Sequence, residues 1–485
     1  LTSTPGVSAT AKGRAVALFV ILLAMFIDLI GVTVLNVVIP SIRTDLGASP
    51  AHLQWIQAGY TLALALGIVS GARLGDLLGH KRVFVVGMLG FALTSALCGL
   101  ASGPDFLVVA RVLQGLCAAA VVPQVLSQIQ VMYSPAERGA PMAAYASLSG
   151  LAATLGPVVG PLLLQWNLGD QGWRLAFWIN VPLALGVVVA SVRLLPESRT
   201  PEAERVDTAG MAISAAGLLL VLYPLISAAD GGQWPLWSYV SMVAGAVVLA
   251  GFVAYERRVA ARGGSPLLDL SLFRHRSVRG GLLVQFLFFV PCMGFFLVYM
   301  LFLQVGLGMG AMAAGLMMLP WSVAVPVFAT LSAAVLLPKI GRLVVPLGLI
   351  VLAAGFALIA LAGASATPAT GWAELVWGVL VGGVGMGLLV APLMQLTLAD
   401  VPVTSAGSGS ALYNTVTQLA ASVGVAVIGT VFFSGLAGVG GSPAEKAAGY
   451  GDMLATTLWL GIGMLAVAFV GSLLLPRRAA PPAQD

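Results

Sequence analysis

The chain has 485 residues, 59% hydrophobic and only 8% charged, with a mean hydropathy of +1.01. A water-soluble domain carries about 25% charged residues, so there is too little polar surface here to cover a soluble core. The net charge of +5 does not mark a nucleic-acid binder either, because the basic residues form no patch and instead punctuate apolar runs.

Those runs are about 20 residues or longer, the length that crosses a hydrocarbon core of about 30 Å. After a Ser/Thr/Gly-rich tail (1–14), Lys12 and Arg14 precede a long apolar stretch with no small-residue cleavage site. That pattern reads as a first span and not a removable signal. Fourteen spans are predicted, at 15–40, 53–78, 82–101, 105–130, 138–165, 174–195, 207–228, 237–256, 278–303, 312–337, 343–363, 372–398, 404–434 and 452–475. With the N-terminus inside, 19 of the 23 Lys and Arg residues fall on the cytoplasmic side, and Arg43, Arg174 and Lys446 fall outside. This satisfies the positive-inside rule and puts both termini in the cytoplasm. Charged connections divide the chain into a six-helix bundle at 15–195, a linker at 196–277 holding two extra spans, a second six-helix bundle at 278–475 and a tail at 476–485.

Asp28 lies halfway along the first span, where a charged carboxylate is disfavoured. A group there that can exchange a proton is what coupling to a proton gradient requires. A carboxylate merely hydrogen-bonded to neighbouring helices is the alternative. Arg111, inside the fourth span, costs about 2.5–3.5 kcal/mol to insert. It must face water or an acid, or else snorkel from a helix end.

Between the second and third spans stands Gly71-Ala-Arg-Leu-Gly-Asp-Leu-Leu-Gly-His-Lys-Arg82. Gly71, Gly75 and Gly79 permit tight turns and close helix approach, while Asp76, Lys81 and Arg82 supply charges for a cytoplasmic gate. The fifth span carries Gly150-Leu-Ala-Ala-Thr-Leu-Gly-Pro-Val-Val-Gly-Pro161. There Gly156 and Gly160 form a small-residue packing face, and Pro157 and Pro161 bend the helix.

These segments resemble the major facilitator superfamily. The first looks like its loop signature, Arg111–Ala119 like its fourth-helix motif, and Gly150–Pro161 like the motif that marks antiporters. Thr33–Pro40, Trp173–Pro182 and Pro266–Phe273 are similar to the fourteen-span drug–proton antiporter branch. The resemblance implies an all-α polytopic membrane protein with the major facilitator fold. It implies a proton-coupled exporter of small amphipathic molecules in the bacterial cytoplasmic membrane and ties Arg111 to proton coupling; Asp28, from its place within the first span, is the acid expected to complete the proton-coupling pair. A narrow-specificity exporter of one metabolite on the same scaffold is the alternative. The expected partners are a small-molecule substrate, protons and the bilayer, with a monomer as the working unit. No nucleic acid, metal or organic cofactor is expected, and no catalytic constellation or phosphate-binding loop is present in the sequence. The resemblance also places the partner of Asp76 at the start of the thirteenth span, near Thr404. In this branch an aspartate usually stands where this chain has Gly31. Either Asp28, three residues earlier and on nearly the same helix face, has taken over proton carriage, or a second carboxylate has been lost.

Polar and aromatic residues within spans complete the candidate substrate cavity, because lipid penalises them: Asn36, Gln57, Gln124, Asn180, Gln285, Phe289, Tyr299, Glu374, Asn414 and Gln418. For Glu374 a solvated helix end is the competing reading. Gly378, Gly382, Gly383, Gly385 and Gly387 in the twelfth span suit close helix contact or bending, and Cys98, Cys117 and Cys292 suit apolar packing.

Overall fold

The computed structural model describes residues 11–134, 137–166, 171–199, 207–228, 234–262, 264, 266–268, 270–401, 406–436 and 439–476. Among them the regular structure is entirely helical. In order the helices are α1 (Ala11–Leu46), α2 (Pro50–Leu78), α3 (His80–Gly99), α4 (Pro104–Met132), α5 (Gly139–Trp166) and α6 (Gly172–Leu194). Then come α7 (Thr208–Ser227), α8 (Leu236–Ala261), α9 (Arg276–Leu301), α10 (Ala311–Met317), α11 (Leu319–Leu331), α12 (Val344–Ala364), α13 (Trp372–Thr397), α14 (Ala406–Ser434) and α15 (Pro443–Ser472). Twelve stretches of the described residues are long and apolar enough to cross a bilayer. This is fewer than the fourteen expected, because Ala311–Ala364 runs as one stretch of 54 residues and α5 qualifies only as the shorter Leu155–Trp166.

Several helix ends differ from the hydropathy reading. Helix α1 continues past Pro40 to Leu46, α8 runs on to Ala261, and α15 begins at Pro443 instead of 452. The last shift has a local cause. Ser442 accepts from the Glu445 backbone N–H while the Glu445 carboxylate accepts from Ser442 N, and Pro443 stands first in the helix. Such a reciprocal cap satisfies donors that the first turn otherwise leaves open.

The chain forms two compact units. The first contains the described residues up to Ala48, Trp55–Leu218 and Gly245–Leu267. Within it α1 packs along α5 and α6, and α3 along α4 and α6. Gly156 sits where a Cβ would collide with Thr33 Oγ1, and a Cβ on Gly160 would lie 3.1 Å from Val37 Cβ. The Thr33 hydroxyl donates to Ala152 O at 3.3 Å. The Gly150–Pro161 segment is therefore the seam against α1, the helix that carries Asp28. The motif Gly71–Arg82 closes a second seam: a Cβ on Gly71 would strike the Ala119 carbonyl of α4.

The second unit contains Ser49–Gln54, Leu219–Ala244 and the described residues from Leu268 onward. Its core is aromatic. Phe295 stacks on Tyr299 with centroids 4.9 Å apart and lies 5.2 Å from Trp321 and 5.4 Å from Phe356. Helices α12 and α13 approach backbone to backbone, where Gly355 faces Gly382 and Gly378 faces Ile359.

Candidate functional site

The first unit buries an acid, a base and their polar partners in one small pocket. Its lining includes Asp28 and Gly31 of α1, Tyr60 of α2, Arg111 and Gln114 of α4, and Asn180 of α6. Asp28 is 8% exposed and Arg111 3%, so Arg111 does not snorkel from its helix end. Each charge is satisfied internally, as burial demands. The Tyr60 hydroxyl donates to Asp28 Oδ1. Arg111 Nε donates to Ile56 O at 3.0 Å and Nη1 to Gln114 Oε1 at 2.6 Å. Gln114 Nε2 in turn donates to Ser95 Oγ at 2.7 Å. The Arg111 guanidinium lies 4.1 Å from the Tyr60 ring centroid, a cation–π contact. Gly31, where the resembling branch has an acid, opens on the same pocket as Asp28.

Tyr60, Gln114 and Ser95 are not singled out by sequence reasoning. Tyr60 lies three residues after Gln57, and Gln114 three after Arg111, so each shares a helix face with a residue that is. Gln57 Nε2 donates to Asn36 Oδ1, and Asn180 Nδ2 donates to Ala176 O at 3.4 Å.

The Gly71–Arg82 motif joins α2 to α3. Gly79 has φ of +103°, a left-handed conformation that only glycine adopts without strain. Asp76 Oδ1 lies 3.5 Å from His80 Nε2, and the Arg82 guanidinium lies 3.5 Å from the Glu197 carboxylate. Lys81 is half-buried beside them. Thr404, the expected partner of Asp76, lies outside the described residues.

Four of the cavity candidates have well-defined surroundings. Gln124 is fully buried. It donates to Gly71 O at 2.8 Å and its Oε1 faces His80 Nδ1 at 2.8 Å, under Gly75, so it fastens α4 to the Gly71–Arg82 motif. Glu374 is an exposed helix-capping residue whose carboxylate accepts from Gly371 N at 3.0 Å. Tyr299 is fully buried in the aromatic core. Asn414 donates to Ser410 O of its own helix at 3.0 Å. Gln285, by contrast, joins a neutral network in the second unit, accepting from Tyr413 Oη at 2.6 Å and donating to Thr417 Oγ1 at 2.9 Å. Gln418, on the same helix, and Phe289 are half-buried. No group of three or more His, Cys, Asp or Glu residues that could hold a metal occurs among the described residues.

The sequence profile of the Major Facilitator Superfamily matches residues 21–425. A protein of Streptomyces coelicolor named "Probable actinorhodin transporter" is 45% identical over 88% of this chain and 75% of its own length. The puromycin resistance protein of Streptomyces alboniger is 34% identical over 96% and 93%. A multidrug efflux pump of Mycolicibacterium smegmatis is 32% identical over 88% and 83%. Among solved structures, a bacterial homologue of the human lysosomal transporter Spinster, in an inward-facing form, superposes with a TM-score of 0.67 at 17% identity. That match covers 98% of this chain and all of the other.

Proposed function

The chain belongs to the Major Facilitator Superfamily, and from that premise we propose that it is a proton-coupled antiporter exporting small amphipathic organic molecules, antibiotics among them. It is a multi-pass membrane transporter and not an enzyme. The observation that carries the export reading is the identity shared along nearly the whole chain with proteins named for antibiotic transport, resistance and drug efflux. The buried Asp28–Tyr60–Arg111 constellation supports proton coupling, because an acid held inside a span can tie protonation to access. That Gly31 and Asp28 open on one pocket supports Asp28 as the replacement for the acid the branch usually has at the glycine position.

In this reading Asp28 loses its proton towards the cytoplasm, substrate binds, and reprotonation from outside expels the substrate. Proton and substrate bias one two-state equilibrium in opposite senses. Arg111 tunes the acid, and the Gly71–Arg82 motif, with Asp76, holds the inner gate. The proton gradient is the sole energy source, and a monomer in the bacterial cytoplasmic membrane is the working unit.

Fourteen spans remain our proposal, arranged as six-helix bundles at 15–195 and 278–475 around an extra pair within 196–277. A stretch of 54 residues would extend about 81 Å as one helix, far more than a single crossing of about 30 Å needs. Helix α5, at 28 residues, is long enough for another crossing. With both termini cytoplasmic, a cysteine at Gly440 should label from outside and one at Arg262 should not. Labelling of both would break this topology.

A second reading, export of one compound class, gains support from the higher identity to the named actinorhodin transporter than to the multidrug pump. Uptake into inside-out vesicles under an imposed pH gradient tests both readings. The panel should hold puromycin, actinorhodin and lipophilic cations. Broad accumulation supports the first reading and accumulation of actinorhodin alone the second. No gradient-dependent accumulation of any compound would overturn proton-coupled export.

A further inference from the structure

Tyr60 touches both buried charges and belongs to the helix that carries the gate motif. Its hydroxyl donates to the Asp28 carboxylate, its ring lies under the Arg111 guanidinium, and the residue is 1% exposed. Its carbonyl is pressed against α4, where a Cβ on Gly115 would collide with it. Eleven residues further along the unbroken helix α2, about 16 Å away, Gly71 makes the same backbone-close contact with Ala119 of α4. The α2–α4 pair therefore carries the contacts to the buried charges at one level (Tyr60, Arg111, Gln114) and the gate fastening at another (Gly71, Gly75, Gln124). At both glycines a backbone carbonyl of one helix meets the other helix directly, so a shift of α2 at Tyr60 is passed along the pair.

We propose that Tyr60 is the positioning residue that ties the protonation state of Asp28 to helix α2 and through it to the Gly71–Arg82 gate. This rests on the reading of Asp28 as proton carrier. An ionised carboxylate is a much better acceptor than a protonated one for the Tyr60 O–H, since hydrogen bonds to charged groups are the stronger class. Loss of the proton thus draws α2 onto α1, and binding of a proton releases it. The other titratable or charged groups around Asp28 are Arg111 of α4 and Tyr145 of α5, with Cys117 of α4 facing Tyr60. None of these lies on the gate helix.

The test is Tyr60→Phe in the full-length protein, which keeps the ring on Arg111 and removes only the donor. Two readouts are compared with wild type and Asp28→Asn. One is the pH profile of efflux for the panel compound that wild type exports fastest. The other is the pH dependence of maleimide labelling at a cysteine replacing Leu78, an exposed residue at the gate end of α2. In Tyr60→Phe the efflux profile should move to higher pH by about one unit, a tenfold change, and the labelling should no longer respond to pH, while the compound still binds. Tyr60→Leu, which also strips the ring from Arg111, should slow efflux at every pH. A wild-type profile with pH-responsive labelling in Tyr60→Phe would overturn the proposal, and so would loss of compound binding, which would make Tyr60 a substrate contact. Wild-type proton release from Asp28→Asn on adding compound would instead remove the proton carrier itself, whatever Tyr60→Phe does.

Discussion

The two units bury polar groups in opposite ways. The first encloses a carboxylate and a guanidinium within one network, Asp28–Tyr60–Arg111–Gln114–Ser95. The second buries a stack of rings, Phe295, Tyr299, Trp321 and Phe356, and a neutral Gln285–Tyr413–Thr417 network. Among the described residues, buried charge is thus concentrated in the first unit, while the second offers shape and neutral hydrogen bonds. The proposed function assigns gradient sensing to the first unit and part of the cargo choice to the second.

The largest expected effect comes from removing the titrating group. Asp28→Asn should reduce gradient-driven efflux to the level of vesicles without the protein, with neutral compounds still bound. Adding Gly31→Asp to that variant should restore part of the proton release, because Gly31 shares the pocket. Full efflux in Asp28→Asn would place proton coupling elsewhere and dissolve the contrast between the units. Next in size, Asp76→Asn removes a charge worth about 1 kcal/mol if it faces a helix N-terminus. Transport should slow about fivefold without loss of substrate binding, as stopped-flow efflux against equilibrium binding would reveal.

Gln285→Leu probes the other side of the comparison. One neutral hydrogen bond contributes about 1 kcal/mol, so KM for some compounds should change about fivefold while the pH profile stays where it was. A displaced profile would mean that the second unit takes part in proton handling. The smallest effect is expected at the α4–α5 connection. There Ser134, through its backbone N–H and hydroxyl, and then Arg14 hold the exposed Glu137 carboxyl below its ordinary range. A carboxyl lowered in the folded state contributes stability above its ordinary range, and that contribution is lost as pH falls through the lowered value. The small difference in melting temperature between wild type and Glu137→Gln at pH 7 should therefore vanish in acid, with transport unchanged.

Much of this is legible in the sequence. The spans stand out because little besides a membrane crossing calls for an apolar run of bilayer length, and Asp28 and Arg111 because a charge inside one is expensive. Hydropathy fails at helix ends, where capping decides. Ser442-Pro443-Ala444-Glu445 spells a capping box that the polarity of the segment conceals. The bonds of Gln124 to Gly71 and His80 are not legible, because polarity within a span does not distinguish a cavity wall from a bond inside one bundle. Tyr60 escapes notice because a tyrosine in an apolar helix is ordinary until its hydroxyl is seen to meet an acid.

The seam between α12 and α13 has a consequence for how this chain can vary over generations. Gly355 and Gly378 stand so close to the opposite backbone that even an added methyl has no room, with Gly382 N and Ile359 N in its path. Ordinary core positions tolerate exchange among aliphatic side chains because neighbours can repack, but a backbone cannot repack. Lineages descending from this protein should therefore keep these two positions fixed while the exposed residues beside them, such as Leu358 and Trp377, drift freely. In a set of natural variants, this seam would stand out as a line of stillness through a changing surface.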